Sequence, residues 1–286
     1  QKESLCFALK NSRIENVGTE IFMNKDIINN NIIILRILTS IIIGTIGVIA
    51  IIYEGPLLLI VVSLIVIFMT AEWIQITEVK LNKPLFIFKI CYNLICVFLT
   101  FYKIYLLALF FLPFFASIIF SLNKTSKINF TYVFIGPLYI CIPILLLYKI
   151  RLEHENGLEI LLWCVLITWT TDIFSFLGGR VFGGRKLLVS ISPNKTWSGF
   201  ITGIFAAMIF SFMSFKIIGL DTTYVLLWSF LLALSVQVGD LFESFLKRNH
   251  EVIESGKILP GHGGMLDRMD GFQFCAFFLS ITVVLI

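Results

Sequence analysis

Charge is what this sequence has little of. Charged residues make up 14% of its 286 positions, against roughly 25% in soluble domains. Hydrophobic residues make up 58% and the mean hydropathy is +0.95. That balance excludes an ordinary soluble domain and points to an all-α, polytopic helical membrane protein. Paired cysteines are missing too. Cys6, Cys91, Cys96, Cys141, Cys164 and Cys275 include no CxxC pair, and five lie in apolar runs. They read as small buried hydrophobes, not a disulfide frame or a zinc site. No GxxxxGK[ST] and no GxGxxG occurs, so neither familiar phosphate loop is present. There is no internal repeat and no low-complexity tract. The net charge of +4 is small, and its basic residues sit in short loops, which speaks for topology and against nucleic-acid binding.

What is present is a succession of apolar runs. Spans are expected at about 32–53, 57–76, 85–102, 104–122, 130–148, 158–178, 199–219, 222–240 and 271–286, about nine transmembrane helices, most near the ~20 residues needed to cross a bilayer. Gly55-Pro56, Gly136-Pro137 and Gly219 punctuate them as turns or kinks. Residues 1–30 form a polar segment. Gln1 is not a start residue, so the sequence reads as a fragment or as carrying an upstream extension, with Met23, which precedes the first apolar run, as a candidate native start. No signal peptide with a cleavage site is seen. The chain divides into N-terminal helices at 31–156 and a C-terminal part at 157–286 that carries two polar loops. With the N-terminus inside, only Lys103, Lys149, Arg151 and Lys216 fall outside. That asymmetry places both polar loops in the cytoplasm.

The densest charge lies in Asp240–Gly271, between two apolar runs. Asp240 and Glu243 are three apart, as are Asp267 and Asp270, a spacing that projects two side chains from one helix face. Lys247, Arg248, Lys257 and Arg268 accompany them. Such charge at a membrane edge is costly unless paired or bound to something. The acids read as ligands for a divalent metal, since Mg²⁺ takes one or two carboxylates plus water and phosphate oxygens. The bases read as phosphate holders. Pro260-Gly261-His262-Gly263-Gly264 is a turn whose free N–H groups could cradle an anion. The competing reading is a solvated loop with scattered ion pairs.

A second polar loop follows the sixth span, Gly178-Gly179-Arg180 onward to Trp197. Ser192, Lys195 and Thr196 combine two hydroxyls with an ammonium, as phosphate binders do. Asp172 lies just before it in an apolar stretch, where an acid marks a candidate functional site.

These residues resemble the phosphatidate cytidylyltransferase (CDP-diacylglycerol synthase) family. Its pattern runs S-x-x-K-R, four residues, K-D, a spacer and P-x-H-G-G-x-x-D-R-x-D. The chain has Ser244-Phe245-Leu246-Lys247-Arg248, then Pro260-Gly261-His262-Gly263-Gly264-Met265-Leu266-Asp267-Arg268-Met269-Asp270. Gly239-Asp240-Leu241-Phe242-Glu243 and Ser192-Pro193-Asn194-Lys195-Thr196-Trp197-Ser198-Gly199 also resemble the family. The likeness covers about 160–275. It departs at Ile253-Glu254, where the family has Lys-Asp, and at Ser198, where Glu is common.

The resemblance implies a reaction of CTP (or dCTP) with phosphatidic acid that gives CDP-diacylglycerol and pyrophosphate, at the cytoplasmic face of a bacterial inner membrane. It implies Mg²⁺, with K⁺ beside it, at Asp240, Asp267 and Asp270. Lys247, Arg248, Lys195 and Arg268 would hold triphosphate or lipid phosphate. Ser192, Thr196, His262 and Asp172 would help bind substrate, with Glu243 in support, and a homodimer is compatible. The attacking phosphate is already anionic, so the lack of a Ser-His-Asp or Cys-His arrangement does not exclude an enzyme. Three alternatives stand: a CTP-dependent polyprenol or phytol kinase, a membrane transporter, and a relative inactivated at Ile253 and Ser198. The D-G-x-x-A-R pattern of CDP-alcohol phosphotransferases is absent.

Overall fold

A polar backbone crosses lipid only with its N–H and C=O groups paired inside the segment, and this chain meets that demand with helices. The structure, a computed structural model, describes residues 39–78, 83–108, 130–218, 222–256, 258 and 263–285. The expected polar segment 1–30, most of the expected span 104–122, Gly219, Lys257, Pro260, Gly261 and His262 lie outside the described residues. An apolar helix at Thr39–Tyr53 (α1) leads in. It is followed by α2 (Gly55–Thr77), α3 (Lys83–Phe101), α4 (Phe130–Glu153) and α5 (Gly157–Phe182). A short hairpin, β1 (Lys186–Leu188) and β2 (Ser192–Thr196), precedes α6 (Trp197–Ile218), α7 (Thr222–Asn249) and α8 (Leu266–Leu285). Among the described residues six helices, α2 to α7, are long and apolar enough to cross a membrane. The all-α membrane architecture is as expected.

Boundaries differ from the sequence expectation in an instructive way. Helix α7 continues past 240 to Asn249, and α5 continues past 178 to Phe182, so Gly178, Gly179 and Arg180 are helical, not loop. Hydropathy marks where a segment leaves lipid. It does not mark where the helix stops, and nothing in Leu241–Asn249 breaks one. Gly136-Pro137 likewise does not end α4, which runs through both Pro137 and Pro143. Proline removes a helix hydrogen bond and loosens its turn. Here the indole N–H of Trp73 donates to the Tyr132 carbonyl at 3.1 Å beside that turn. The absence of a side chain at Gly136 admits the indole, because a Cβ there would sit 2.3 Å from Trp73 Nε1.

Helices in lipid gain little from a hydrophobic effect between them, so small residues that let backbones touch decide the packing. The α5–α6 pair shows this along Gly178, Gly199 and Gly203. A Cβ on Gly178 would fall 1.8 Å from Thr202 Oγ1, and one on Gly199 2.5 Å from the Ser175 carbonyl. Thr202 donates across the pair to Phe174 O at 3.1 Å, and Gln237 of α7 donates to Ser175 Oγ. The N-terminal and C-terminal halves share a core. Leu246, Met265 and Leu266 pack with Val66, Met69 and Trp73 of α2. Ile60, Ile87, Phe205 and Leu227 remain exposed on the outer surface, as lipid-facing residues do.

One substitution pair tests the packing. Gly178→Ala inserts a methyl where no space exists, and overpacking costs about 1–3 kcal/mol. Its thermal midpoint in detergent should fall by roughly 2–4 °C per kcal/mol. Gly47→Ala, with nothing within 4 Å of the added carbon, should leave the midpoint unchanged or raise it. Equal midpoints for Gly178→Ala and the parent would overturn the packing argument.

Candidate active site

The site forms where α7 crosses α8. A Cβ on Gly239 would lie 2.5 Å from the Asp270 carbonyl and 3.1 Å from Gly271 Cα, and one on Gly271 would lie 2.8 Å from Val236 Cγ1. Backbone meets backbone there, which sets Asp240 beside Asp270. Because α7 continues, Asp240, Glu243 and Lys247 follow at i, i+3 and i+7 along one helix face. The hairpin closes the opposite wall. β1 and β2 pair antiparallel with Lys186 opposite Thr196 and Leu188 opposite Ser192. Lys195 on β2 reaches Asp240 Oδ2 at 2.5 Å. Arg248 Nε donates to Ile191 O at 3.4 Å, bracing the hairpin turn. The two polar loops therefore lie at one end of the bundle.

Lys247 is the hub. Its ammonium lies 2.7 Å from Asp267 Oδ1 and 3.3 Å from Glu243 Oε2. Asp267 Oδ2 accepts the backbone N–H groups of Ser255 and Gly264, each at 3.0 Å. Gly263 holds φ +80, and a Cβ there would lie 2.7 Å from Asp267 Oδ2, so both strain and space call for glycine. Burial alone would raise the Asp267 pKa. Hydrogen bonds with Glu243, Lys247 and Gly264 outweigh it and hold the group low, at about 2. Asp270 follows at the start of the second turn of α8, next to Gly271. Burial and then the neighbouring Asp240 carboxylate push it up to about 7. Two carboxylates so placed repel unless a cation or proton lies between them.

The expected residues fall into groups. Asp240, Asp267, Asp270, Lys247 and Lys195 come together. Asp172, on α5, is within electrostatic reach of Asp240, Asp270, Lys195 and Arg268. Thr196 is engaged as a helix cap, its Oγ1 accepting the Gly199 N–H at 3.2 Å. Ser192 pairs in the hairpin. Arg268 is exposed. At the two departures from the family pattern, Ile253 is 76% exposed, and Ser198 donates to Gly183 O, closing the hairpin onto the end of α5.

Two residues of the N-terminal half were not foreseen. Glu72 of α2, 1% exposed, accepts hydrogen bonds from Ser255, Met265 and Leu266. An acid inside an apolar run was the available signal. Tyr139 of α4 packs between Phe242 and Phe274, with ring centroids at 5.5 and 6.2 Å. It lies within electrostatic reach of Asp270, Glu243 and Asp240. Nothing in its sequence neighbourhood announced that.

Comparison with known proteins bears on the family. Over 161 residues it is 40% identical to the phosphatidate cytidylyltransferase of Rickettsia felis, a stretch covering 52% of this chain and 70% of that protein. Against the phosphatidate cytidylyltransferase of Staphylococcus aureus (strain COL), identity is 38% over 166 residues, 57% of this chain and 63% of that protein. Against that of Rickettsia bellii it is 42% over 153 residues, 51% and 66% respectively. The chain thus spans about two thirds of the length of the relatives it matches. The sequence pattern of the cytidylyltransferase family matches residues 34–286. That range holds every helix and strand described above and all the acids and cations of the site, and on it the chain belongs to the cytidylyltransferase family.

Proposed function

We propose that the chain joins CTP to phosphatidate, releasing pyrophosphate and forming CDP-diacylglycerol. One observation carries the reading: Asp240 and Asp270, Lys195, and the Lys247–Asp267 pair converge at one end of a membrane-spanning bundle. An oxygen of the lipid phosphate attacks the α-phosphorus of CTP, and the bond from that phosphorus to the bridging oxygen of pyrophosphate breaks. The attacking oxygen is already anionic, so no general base is needed. The barrier is the repulsion between two polyanions, which positive charge and alignment reduce.

The chain supplies that charge from several directions. Lys195 enters from the hairpin, Lys247 and Arg248 from the end of α7, and Arg268 from the first turn of α8. Asp172 borders the same mouth. Among the described residues no group of three or more His, Cys, Asp or Glu is arranged to cage a metal. Mg²⁺ takes one or two protein carboxylates and completes its shell with water and substrate phosphate. Asp240, whose side chain is 35% exposed, and Asp270 beside it offer the hard oxygens. Asp267 keeps Oδ1 toward the cluster while Oδ2 holds the turn. Mg²⁺, with K⁺ beside it, would supply positive charge to the phosphates when bound. The distribution of Lys and Arg supports a cytoplasmic face, where the nucleotide arrives. On this reading the membrane is a bacterial cell membrane.

The deciding assay incubates purified protein with CTP or dCTP, phosphatidate and Mg²⁺. The expected products are CDP-diacylglycerol and pyrophosphate in equal amounts. Release of CDP with a phosphorylated alcohol would identify a kinase instead.

Asp240→Asn should lower kcat by about 10²–10³-fold, the scale of removing one electrostatic contact to a reacting group. The variant should still insert and keep its thermal midpoint. Excess EDTA should stop the parent enzyme and Mg²⁺ should restore it. Near-normal turnover by Asp240→Asn, or turnover indifferent to EDTA, contradicts the metal assignment.

A further inference from the structure

We infer that Glu72 is a positioning residue: from the N-terminal half it fixes the turn that presents Asp267 and the start of α8. The inference rests on the proposed reaction for its meaning and on geometry for its support. Glu72 sits in the apolar run Thr70-Ala71-Glu72-Trp73 and is 1% exposed. A buried carboxylate is costly unless its oxygens are satisfied. Among the described residues no Lys, Arg or His forms an ion pair with it. Backbone donors take that place. Oε1 accepts the Met265 N–H at 2.9 Å, and Oε2 accepts the Leu266 N–H at 2.8 Å and the Ser255 hydroxyl at 3.0 Å.

These partners lie at the N-terminus of α8, whose first N–H groups have no acceptor within the helix. Such ends are usually capped by a nearby Ser, Thr, Asp or Asn. Here a carboxylate from a helix 193 residues away does it, and the positive end of the helix dipole favours the negative charge. Two glycines make room. A Cβ on Gly256 would fall 2.6 Å from Glu72 Oε1, and one on Gly264 would fall 2.4 Å from Glu72 Oε2 and 2.0 Å from Ser255 Oγ.

Ser255 links this cap to the site. Its hydroxyl donates to Glu72 and accepts the Asp267 N–H at 3.3 Å, and its own N–H donates to Asp267 Oδ2 at 3.0 Å. Asp267 in turn holds Lys247. A continuous path runs Glu72, Ser255, Asp267, Lys247. Glu72 touches no substrate on this geometry, so its effect is orientation. A displacement of about 1 Å in a reacting constellation can cost about 10²-fold.

The test compares Glu72→Gln, Glu72→Asp, Ser255→Ala and the Glu72→Gln/Ser255→Ala double variant with the parent, all as full chains in detergent. The amide introduced by Glu72→Gln turns an N–H₂ group toward donors. kcat should fall by about 10–100-fold, as when an outer partner of a metal-site ligand is lost, while KM for CTP and phosphatidate moves less than about threefold. Glu72→Asp, which keeps the charge, should recover part of the loss. The double variant should be no worse than Glu72→Gln by more than about twofold, because both act through one link.

An activity-free readout accompanies this. Without substrate, hydrogen exchange at the Met265 and Leu266 amides should accelerate about tenfold in Glu72→Gln, with the amides of α2 and α4 still protected. Unchanged kcat and exchange would overturn the inference. So would faster exchange through all helices with both KM values raised, which marks a scaffold residue. A parent protein that makes no CDP-diacylglycerol, but whose Met265 and Leu266 amides respond as expected, would keep the cap and overturn the functional reading.

Discussion

Two helix backbones touch at Gly239 and Gly271, and the site follows from that contact. Packed helices usually stand about 8–10 Å apart. At the usual separation Asp240 and Asp270 would belong to different surfaces. With no side chain on either glycine, the acids that follow Gly239 and precede Gly271 share one mouth. The cations then arrive by three routes: a hairpin, the end of α7 and the first turn of α8. Each needs a rigid mount, and each has one. Arg248 braces the hairpin turn, Asp267 holds Lys247, and the Gly263–Gly264 turn holds Asp267.

The N-terminal half is more than a membrane anchor in this arrangement. Its residues form the floor of the site. Trp73, Met69 and Val66 share a core with Leu246, Met265 and Leu266, Tyr139 packs against Phe242 of α7 and Phe274 of α8, and Glu72 caps α8. The chemistry-bearing side chains sit on the C-terminal half, but their turn is closed by a helix far away in sequence. Substitutions in α2 would therefore reach the site without touching any residue of the charged motifs.

Much of this was legible in the sequence. The apolar runs announced helices, because lipid admits little else, and charges clustered at two loops announced a site, because isolated charge at a membrane edge is costly. The spacing of Asp240, Lys247, Asp267 and Asp270 carried the family resemblance without help from the fold. What stayed hidden has physical causes. Hydropathy changes where a helix leaves lipid, so the extension of α7 to Asn249 and of α5 to Phe182 could not be read from it. The hairpin at 186–196 is too short for a periodic signal. Gly239 and Gly271 look like any membrane glycines until the helices cross. Glu72 did leave a trace, as an acid among Ile, Met and Trp, but one acid names no partner, and its partners are 183 to 194 residues away.

The pairing of charges explains how such a site can exist before substrate arrives. A bare ammonium or carboxylate at the lipid edge is expensive to solvate, and here the main ones are matched in advance: Lys195 with Asp240, Lys247 with Asp267 and Glu243. A matched pair contributes little net field, which leaves the repulsion between Asp270 and Asp240 as the unbalanced element of the site. On the proposed reading these paired groups are the ones that would hold the nucleotide phosphates and a divalent cation. On that reading Lys195 would hold phosphate oxygens in place of Asp240, and Asp240 would be one of the carboxylates that hold the cation. Asp267 differs, since its Oδ2 is bound to two backbone N–H groups. That fixed carboxylate gives the other charges a stationary reference.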